Sequence, residues 1–555
     1  MFLKTLTVNN FRGIRSAQID FSKTTVLIGE NDCGKTSLFD AMAIALADGE
    51  TPRFETQHIH RHQDRPSGDI LIELMFEESG AGDWSKLELG TLAGLLNNGG
   101  NKPRQLHLRL EAVAGDGEQA VDATWSIYSN ASGNRLHNDP GALSDLRRLT
   151  PFIWLRGSTL LGVTSNNKCD VILDPPADIA PLVREIEKHY HALITGDSRQ
   201  THSDINAGYR AARELLARRA TDIVSAGSLS HPLISDILGE KEAEGSHPLH
   251  AHHGSAALKT GVFILTAALL SHFANNNTPG VEPVLLLEDP EANLHLMTLA
   301  SVWGLLKHIK AQKIITTQSG TLLAAVPLHK VRRLTRYHGV VRQWSIRKNS
   351  LPHEELRKLS YHVRVRRGGA SFARCWLLVE GETEFWVLPE LALLSGYDLN
   401  IEGIAVVEFA QCGLAPLIKL AKAWGIEWHV LCDGDKAGRD YTETAEHYVE
   451  PTEQTESRIT RLQEADIEHC FWTHGYKPVF AQAANRRLPT NRLASATATI
   501  NRAIKRHSKP YLAFEIIQAA DSDHSPGVPK ILKRMLETCV QLARNAPRRN
   551  TDIKG

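Results

Sequence analysis

The sequence predicts a multidomain α/β protein, in which a phosphate-binding domain is followed by a second domain with a Rossmann-like sheet. At 555 residues the chain is too long for one hydrophobic core. Residues 26–39 predict an apolar strand, a glycine-rich loop and a helix. Two later apolar runs, 284–287 and 375–379, end in acidic residues, which is typical of strands that meet a ligand at the edge of an open α/β sheet.

Composition narrows the class of protein. Hydrophobic residues make up 42% of the chain and charged residues 23%, as in ordinary soluble domains. The 63 basic and 63 acidic side chains balance, so any surface for nucleic acid must be local. The seven cysteines form no C-x-x-C pair, which disfavours a disulfide framework and a cysteine zinc site and favours a reducing compartment. The first residues do not resemble a signal peptide, and the most apolar stretch, 262–270, is too short to span a bilayer, so we expect a cytoplasmic protein.

The glycine-rich loop fits G-x-x-x-x-G-K-[ST] from Gly29 to Thr36 without a mismatch. Glycines let backbone N–H groups turn toward phosphate oxygens, and the following helix adds its positive N-terminal end. Lys35 is expected to reach the β- and γ-phosphates, and the Thr36 hydroxyl to bind Mg²⁺. We therefore expect ATP and one Mg²⁺ to be held here by Gly29, Asn31, Gly34, Lys35, Thr36 and Ser37.

Strands and then helices follow the pattern of apolar residues along the N-terminal half. Alternation of apolar and polar residues predicts strands at 2–8, 17–21, 69–77, 105–113 and 125–128. From about 181 to 238, apolar residues recur every three to four positions, which predicts helices. Such an insert is either a dimerisation arm or a helical subdomain packed on its own sheet.

A second nucleotide-site element lies far downstream of the loop. Residues 284–287 form an apolar strand that ends in Glu288 and Asp289. In a phosphate-loop enzyme the first acid holds Mg²⁺, and the second positions or deprotonates the attacking water. The run at 313–318 predicts a further buried strand that ends in polar residues, with Gln318 last, as expected of a sensor beside the γ-phosphate.

These motifs resemble the ABC-type ATPase heads of chromosome-maintenance and recombination proteins. The resemblance rests on Asn-Phe-Arg-Gly at 10–13 and on the long separation between the loop and the acidic strand. In those heads a glycine–serine signature at a helix start contacts the nucleotide of the opposite head. Gly254 and Ser255, before a helix predicted at 256–270, match that signature.

The acidic strand also resembles one particular family of such proteins. Residues 288–295, Glu-Asp-Pro-Glu-Ala-Asn-Leu-His, are similar to the corresponding run of the OLD family. That family usually has a histidine where this chain has Gln318, which hydrogen-bonds a γ-phosphate but cannot become a cation. The departure leaves the rate of ATP hydrolysis open.

The chain between the two halves is basic. Residues 342–374 carry arginine and lysine side chains around Gly368 and Gly369 and show little periodicity. A solvated linker and a phosphate-contacting hinge are both compatible with this composition.

A second group of acids follows two apolar strands of the C-terminal half. Glu380 and Glu384 follow the first of them, and we expect them to lie near each other across one helical turn. Asp433 and Asp435 follow the strand that ends at Cys432, and on an extended strand end they point the same way. Four carboxylates at neighbouring strand ends suit Mg²⁺ or Mn²⁺.

Together these acids resemble a Toprim domain, which occurs in topoisomerases, primases and nucleases. Neither a DNA-gate architecture nor a zinc ribbon is visible, which disfavours a topoisomerase and a primase. An ATPase head joined to a C-terminal Toprim domain is the organisation of OLD-family ATP-dependent endonucleases. The resemblance implies a two-metal site, with Glu468 as a further ligand and Lys509 stabilising charge on the scissile phosphate. Nearby, Arg502, Lys505 and Arg506 either hold the DNA backbone or form a solvated helix face.

Domain organisation and function follow as expectations. The predicted domains are 1–178 and 249–345 for the ABC-type head, 179–248 for the helical insert, 346–371 for the linker and 372–555 for the Toprim domain. We expect a homodimeric ATPase–nuclease that nicks or cuts DNA in phage defence or repair, with ATP controlling DNA access. The predicted catalytic residues are Asp289, Glu380, Asp433 and Lys509, and the predicted metal ligands are Glu380, Glu384, Asp433, Asp435 and Glu468, with Thr36 and Glu288 for the ion that accompanies ATP.

Two other functions remain open at this point. One is an ATP-driven DNA clamp that does not cut and uses the Toprim domain as a binding platform. The other is a module that signals to a separate toxin or accessory defence protein. A histidine metal site is a weaker hypothesis, and its residues are His247, His250, His252 and His253.

Overall fold

The structure is a computed structural model of the full chain. It describes residues 1–46, 53–62, 65–66, 68–80, 83–96, 103–113, 121–129, 135–156, 180–194, 205–212, 255–276, 281–292, 294–348, 350–361, 368–485 and 494–552. Most of the predicted helical insert, the four histidines of the weaker hypothesis and Gly254 lie outside these residues.

The described elements alternate between strands and helices along the chain. The strands are β1 Phe2–Phe11, β2 Ile14–Asp20, β3 Thr24–Gly29, β4 Arg53–Phe54, β5 Arg61–His62, β6 Arg65–Pro66, β7 Ile70–Glu77, β8 Gln105–Ala112, β9 Val121–Asp122, β10 Thr124–Tyr128, β11 Arg135–His137, β12 Phe152–Arg156, β13 Val284–Glu288, β14 Gln312–Thr316, β15 Val331–Tyr337, β16 Val340–Trp344, β17 Cys375–Val379, β18 Ile404–Glu408, β19 Glu427–Cys432 and β20 Ile459–Arg461. The named helices are α1 Lys35–Ala45, α2 Ala93–Leu96, α3 Pro140–Leu149, α4 Ala180–Ile194, α5 Ser255–Asn276, α6 Leu296–His308, α7 Gly320–Ala324, α8 His353–Tyr361, α9 Glu382–Leu394, α10 Leu414–Ala423, α11 Lys436–Glu446, α12 Ile467–Phe471, α13 Lys477–Ala483, α14 Ala494–Arg506, α15 Lys509–Ala520 and α16 Lys530–Asp552.

The chain divides into two compact units. The first, here called the head unit, comprises Met1–Val326 and Lys330–Gln343. The second, here called the C-terminal unit, comprises Pro327–His329 and Trp344–Gly555. Both belong to the α/β class that the sequence predicts.

The head unit is organised around a twelve-stranded sheet within the described residues. Its order is β11-β10-β8-β7-β1-β2-β16-β15-β3-β14-β13-β12. The β15-β3-β14-β13-β12 part is parallel, and its inner strands β13 and β14 are buried along almost their whole length, as expected of parallel strands covered on both faces. The β8-β7-β1-β2 part is antiparallel, and β7 alternates between buried and half-buried residues because one face meets the core.

One core joins the two parts of this sheet. It includes Leu6 of β1, Leu74 of β7, Phe39 and Met42 of α1, and Leu286 of β13, all fully buried. The helix that follows the glycine-rich loop therefore packs between the antiparallel and parallel strands. This packing fixes the position of the loop relative to the acidic end of β13.

A buried glutamine side chain links β1, the first strand of the head unit, to the central strand β14. Gln312, at the start of β14, accepts from the Leu3 backbone N–H at 2.9 Å and donates to the Leu3 carbonyl at 2.7 Å. Gln312 is 1% exposed and Leu3 is 0% exposed, so water cannot replace either bond.

The C-terminal unit has a four-stranded parallel sheet in the order β18-β17-β19-β20. Strands β17 and β19 are buried along their whole length, as expected of central parallel strands covered by helices. Helix α16 packs on both of them, and α9 packs against α15. Strands β17 and β19 are neighbours and end on the same edge.

The elements agree with the sequence-based expectations except at particular points. The strand predicted at 2–8 extends to Phe11, and the basic stretch expected to lack periodicity contains helix α8. Within the predicted insert, 180–194 and 205–212 are helical, and the rest lies outside the described residues. Among the described residues, no helix combines the length and apolar character needed to cross a membrane.

Removing the Gln312 side chain should destabilise the head. Gln312→Ala leaves the buried N–H and carbonyl of Leu3 without partners, which costs about 3 kcal/mol. We expect the urea midpoint, followed by circular dichroism, to fall by roughly 1 M. The control is Gln343→Ala, which removes a solvent-exposed hydrogen bond from the Asp20 N–H. Its free energy of unfolding should stay within about 0.5 kcal/mol of the wild-type value. Equal midpoints for the two variants would contradict this role.

Candidate functional site

The two glycines of the glycine-rich loop have backbone angles that other residues rarely adopt. Gly29 has φ +154° and Gly34 has φ +95°, and a Cβ on Gly29 would lie 2.5 Å from the Leu334 carbonyl oxygen of β15. A side chain is therefore excluded at Gly29. Lys35 is buried and its Nζ donates to the carbonyls of Gly29 at 2.8 Å and Glu30 at 2.9 Å, which holds the ammonium inside the loop.

The loop and the acidic strand meet directly. The Thr36 hydroxyl donates to Glu288 Oε1 at 2.6 Å, although the two residues are 252 positions apart. Asn31 begins a short 3₁₀ turn, and Ser37 lies in the first turn of α1. A hydroxyl and a carboxylate held together at a phosphate loop are the oxygen pair that binds Mg²⁺ in such sites.

Asp289 leaves the strand in a left-handed conformation. Its φ is +43°, a region that costs a non-glycine residue about 1–2 kcal/mol. Its N–H donates to the carbonyl and to Oγ1 of Thr316, and the Thr316 hydroxyl lies 3.2 Å from Asp289 Oδ1. Thr316, at the end of β14, therefore holds Asp289 in this conformation through hydrogen bonds.

A second acid of this strand end, Glu291, holds the sensor segment. Its Oε1 accepts from the Thr317 hydroxyl at 2.8 Å and from the Gln318 N–H at 2.7 Å. Its Oε2 is buried and has no hydrogen-bond partner among the described residues. Gln318 itself is exposed, with its side chain available to a ligand.

A buried lysine connects this acidic turn to helix α5. Lys259 is 3% exposed and its Nζ donates to the carbonyl of Ala292. Burial lowers the pKa of Lys259 to about 8, although Glu291 and Asp289 act to raise it. Ser255, of the predicted signature, is the first residue of α5, one turn before Lys259.

Acids of the C-terminal unit gather at the edge where β17 and β19 end. Glu380 follows β17 and Asp433 follows β19, and the two strands are paired in parallel. Helix α9 begins at Glu382, so Glu384 lies in its first turn. The expectation that Glu380 and Glu384 share a helical turn is wrong, because Glu380 precedes the helix and Gly381 is its N-cap.

These carboxylates act on one another electrostatically. Burial raises the pKa of Asp433 to about 8, and the charges of Glu384, Glu380 and Glu468 add to the rise. Burial likewise raises the pKa of Glu384 to about 7, with contributions from Glu468 and Glu380. Burial and the charge of Asp435 raise the pKa of Glu380. Such mutual repulsion requires that the acids converge on one region.

Glu468 and Lys509 complete this group from two other helices. Glu468 is 3% exposed, and its Oε1 accepts from the Thr383 hydroxyl at 2.8 Å and lies 3.6 Å from Lys509 Nζ. Burial works against the charge of Lys509, but Glu468 and Glu384 raise its pKa on balance. A cation at the N-terminus of α15 therefore faces the acids.

Asp435 lies at the start of helix α11. It is exposed, and its Oδ1 accepts from the Gly438 N–H at 2.7 Å, which caps the helix. Because its charge, after burial, contributes to the raised pKa of Glu380, Asp435 also lies near the acid group. Helix α11 begins close to the Asp433 backbone, since a Cβ on Gly438 would lie 2.0 Å from the Asp433 carbonyl oxygen.

The acid group fits a hard divalent cation. Glu380 Oε2 is buried without a hydrogen-bond partner among the described residues, and the neighbouring carboxylates repel one another. No three of these carboxylates have oxygens all within 4.8 Å of one another in the described part of the chain. Water would therefore supply part of the coordination, as is usual for Mg²⁺.

The basic residues beside this group are exposed. Arg502, Lys505 and Arg506 lie near the C-terminal end of α14, two residues before α15 begins. His507, between the two helices, stacks on Tyr511 at a centroid distance of 4.4 Å. Both expectations for the three basic residues, a DNA contact or a solvated face, remain predictions.

Comparison with known proteins places the chain in a family. Residues 1–370 match the family model described as "Protein of unknown function (DUF2813)". The chain belongs to this DUF2813 family. Residues 372–435 match the model of the "Overcoming lysogenization defect protein-like, TOPRIM domain". The two matches give the ATPase-head and Toprim organisation of the OLD family, as the sequence predicts.

Individual relatives extend these matches. The "Uncharacterized protein YbjD" of Escherichia coli (strain K12) is 32% identical over 571 residues, covering 98% of this chain and 99% of that protein. The "DNA double-strand break repair Rad50 ATPase" of Methanococcus maripaludis is 37% identical over 81 residues, 14% of this chain and 8% of that protein. The solved C-terminal region of the Burkholderia pseudomallei OLD protein is 19% identical, with a TM-score of 0.26, and the match covers 32% of this chain and 99% of that one.

Two residues of the DUF2813 head escaped the sequence-based prediction of the site. Glu291 was within the matched acidic run, but its bonds to Thr317 and Gln318 depend on strand pairing that the run does not reveal. Lys259 is a charged residue in a largely apolar helix. That position in the sequence is the signal that could have marked it as a buried, functional lysine.

The raised pKa of Asp433 has a consequence for stability. An unfolded aspartate ionises near pH 4, whereas Asp433 does so near pH 8, so the folded state holds an extra proton between these values. Stability must therefore fall as pH rises across this window. In chelator at pH 8, Asp433→Asn should raise the stability by about 2 kcal/mol, allowing for solvent screening.

The measurement is the thermal midpoint of both proteins in chelator at pH 5.5 and pH 8. We expect the variant to melt roughly 5 °C higher at pH 8 and the difference to shrink at pH 5.5. Glu382→Gln, which removes an exposed acid two residues after Glu380, should leave the profile unchanged. Parallel pH profiles for wild type and Asp433→Asn would show that Asp433 is not part of a repulsive group.

Proposed function

We propose that this protein is a divalent-metal-dependent DNA endonuclease whose ATP-binding head controls cutting. The observation that carries the proposal is the convergence of Glu380, Glu384, Asp433 and Glu468 with Lys509 at one sheet edge. Carboxylates that stay close despite their repulsion are typical of a site built for cations. The OLD-like Toprim match and the DNA-repair relative support DNA as the substrate.

In this proposal the acids hold two ions beside the scissile phosphate. Glu380, Glu384, Asp433, Asp435 and Glu468 would supply oxygen ligands, and Asp435 also caps α11 with one of its two oxygens. Two divalent ions would supply an activated water and stabilise the leaving oxygen.

Lys509 has a separate role in the proposal. Its ammonium now lies 3.6 Å from Glu468 and is kept charged by the surrounding acids. Once ions neutralise Glu468, the ammonium is released to stabilise the charge that develops on the phosphate. Lys509 is therefore the cation we expect to contact the DNA at the point of cutting.

The head would bind ATP with residues that already meet. Lys35 would exchange its bonds to the loop carbonyls for the phosphates, and Thr36 with Glu288 would hold the accompanying Mg²⁺. Asp289 would position the attacking water, and Gln318 would contact the γ-phosphate without adding a charge. Asn31, Gly34 and Ser37 belong to the same cradle, and Gly254 with Ser255 would contact nucleotide on a second head.

In this proposal ATP binding controls the access of DNA to the nuclease site and does not supply the chemistry of cutting. We include in the proposal a homodimer, in which paired heads regulate access of DNA, and a role in phage defence or DNA repair. The domain boundaries predicted from the sequence are part of the same proposal.

Nicking of supercoiled plasmid tests this function. Wild type with Mg²⁺ or Mn²⁺, with and without ATP, should produce open circles. Glu380→Gln and Asp433→Asn should slow the rate at least about 100-fold because each removes a metal ligand. Glu382→Gln, the exposed neighbour, should cut at the wild-type rate.

The stability measurement above distinguishes a lost ligand from a lost fold, because Asp433→Asn should be folded and inactive. Unchanged cutting by both ligand variants would overturn the metal assignment. Absence of cutting by wild type, together with ATP-dependent retention on circular DNA, would favour the non-cleaving clamp instead.

A further inference from the structure

Another set of possible metal ligands lies outside the Toprim acids. Glu464 precedes α12, Cys470 lies within it, and His474 lies in the kinked segment Trp472–Tyr476 that follows. One ligand atom from each of the three lies within 4.8 Å of the others. These residues have no part in the nuclease proposed above.

We propose that Glu464, Cys470 and His474 form a zinc site, with water as the fourth ligand. A thiolate, an imidazole and a carboxylate are the donors that Zn²⁺ takes in tetrahedral sites. The sulfur and the nitrogen favour Zn²⁺ over Mg²⁺, whose ligands are oxygen. A cysteine pair is not needed here, since only one ligand is a cysteine.

The distance between sulfur and nitrogen supports this assignment. Cys470 Sγ lies 3.7 Å from His474 Nδ1. Zinc bond lengths to sulfur and nitrogen, joined at a tetrahedral angle, give a separation of about 3.6 Å. The two atoms are therefore already at the separation expected of neighbouring ligands on one tetrahedral ion.

The carboxylate is held toward the same point by a neighbour. Glu464 Oε1 accepts from the Thr473 hydroxyl at 2.8 Å. A ligand whose orientation is fixed by a second hydrogen bond is typical of metal sites. Thr473 also precedes His474, so the same turn supplies one ligand and orients another.

The backbone of the turn explains why His474 faces Cys470. His474 and Gly475 depart from helical geometry, and Gly475 has φ +104°, a conformation that favours glycine. His474 is exposed and Cys470 is buried, which leaves one side of the site open to water.

Binding requires that protons leave both ligands. His474 Nδ1 lies 2.8 Å from the Cys470 carbonyl, to which it donates a hydrogen bond. For Nδ1 to bind zinc, its hydrogen must move to Nε2 by exchange with solvent, and the exposed ring must turn so that the Nδ1 lone pair points to the ion instead of the carbonyl oxygen. Zinc binding also replaces the thiol proton, which is released to solvent, and the Glu464 carboxylate attracts the cation.

The site is joined to the Toprim edge by the backbone. The Gly434 N–H donates to the Glu464 carbonyl at 3.0 Å, and a Cβ on Gly434 would lie 2.2 Å from that oxygen. A zinc ion on Glu464 would therefore fix the segment that the Asp433 loop rests on. This effect on the segment is separate from the chemistry of the hard-cation site.

Cobalt substitution provides a specific probe. Purified protein titrated with Co²⁺ should bind one ion in a site with a thiolate-to-cobalt charge-transfer absorption, which carboxylates alone cannot give. Cys470→Ser and His474→Ala should each lose this absorption. Asp433→Asn should keep it, so failure here is independent of the nuclease proposal.

Two controls match the residues tested. His447 is exposed and its Nδ1 also contacts the carbonyl four residues earlier, at 2.6 Å, so His447→Ala should keep the absorption. Cys412 is a buried cysteine outside the site, and Cys412→Ser should keep it as well. Because His474 is exposed, its removal tests the site even if Cys470→Ser does not fold. No absorption in wild type, or an absorption that survives in His474→Ala, would overturn the zinc site.

Discussion

Burial of like-charged carboxylates at the ends of β17 and β19 is the constraint on which the C-terminal unit depends. Burial, together with the charges of neighbouring acids, raises the pKa of Asp433 to about 8 and that of Glu384 to about 7. The fold keeps them together with backbone features, such as the cap of α11 and the start of α9 after Gly381. Without a bound cation, such an arrangement lowers the free energy of unfolding at neutral and alkaline pH, because buried carboxylates that ionise repel one another.

The head unit places hydrogen-bond donors beside its acids. There Glu288 accepts from the Thr36 hydroxyl, Glu291 accepts from the Thr317 hydroxyl and the Gln318 N–H, and the buried Lys259 interacts electrostatically with Glu291. Both units place their acids at the carboxyl ends of parallel strands, where helix N-termini also begin. The DUF2813 chain thus repeats one architectural rule in two chemically different sites.

The sequence predicted the parts of this arrangement that depend on local pattern. Apolar runs ending in acids predicted β13, β17 and β19 and placed Glu288, Glu380 and Asp433 at their ends. It could not predict Asp435 as a helix cap, because that depends on how closely α11 approaches the Asp433 carbonyl. Nor could it show that Glu291 bonds to a strand end far along the chain.

Manganese binding to the acid edge tests the central claim most directly. Crystals soaked in Mn²⁺ and measured at the manganese absorption edge should show anomalous peaks within coordination distance of Glu380, Glu384, Asp433 and Glu468. Occupancy by two ions would match the mechanism proposed for cutting. If manganese bound elsewhere in the chain while this edge stayed without a peak, the four acids would not be a metal site and the nuclease assignment would fall.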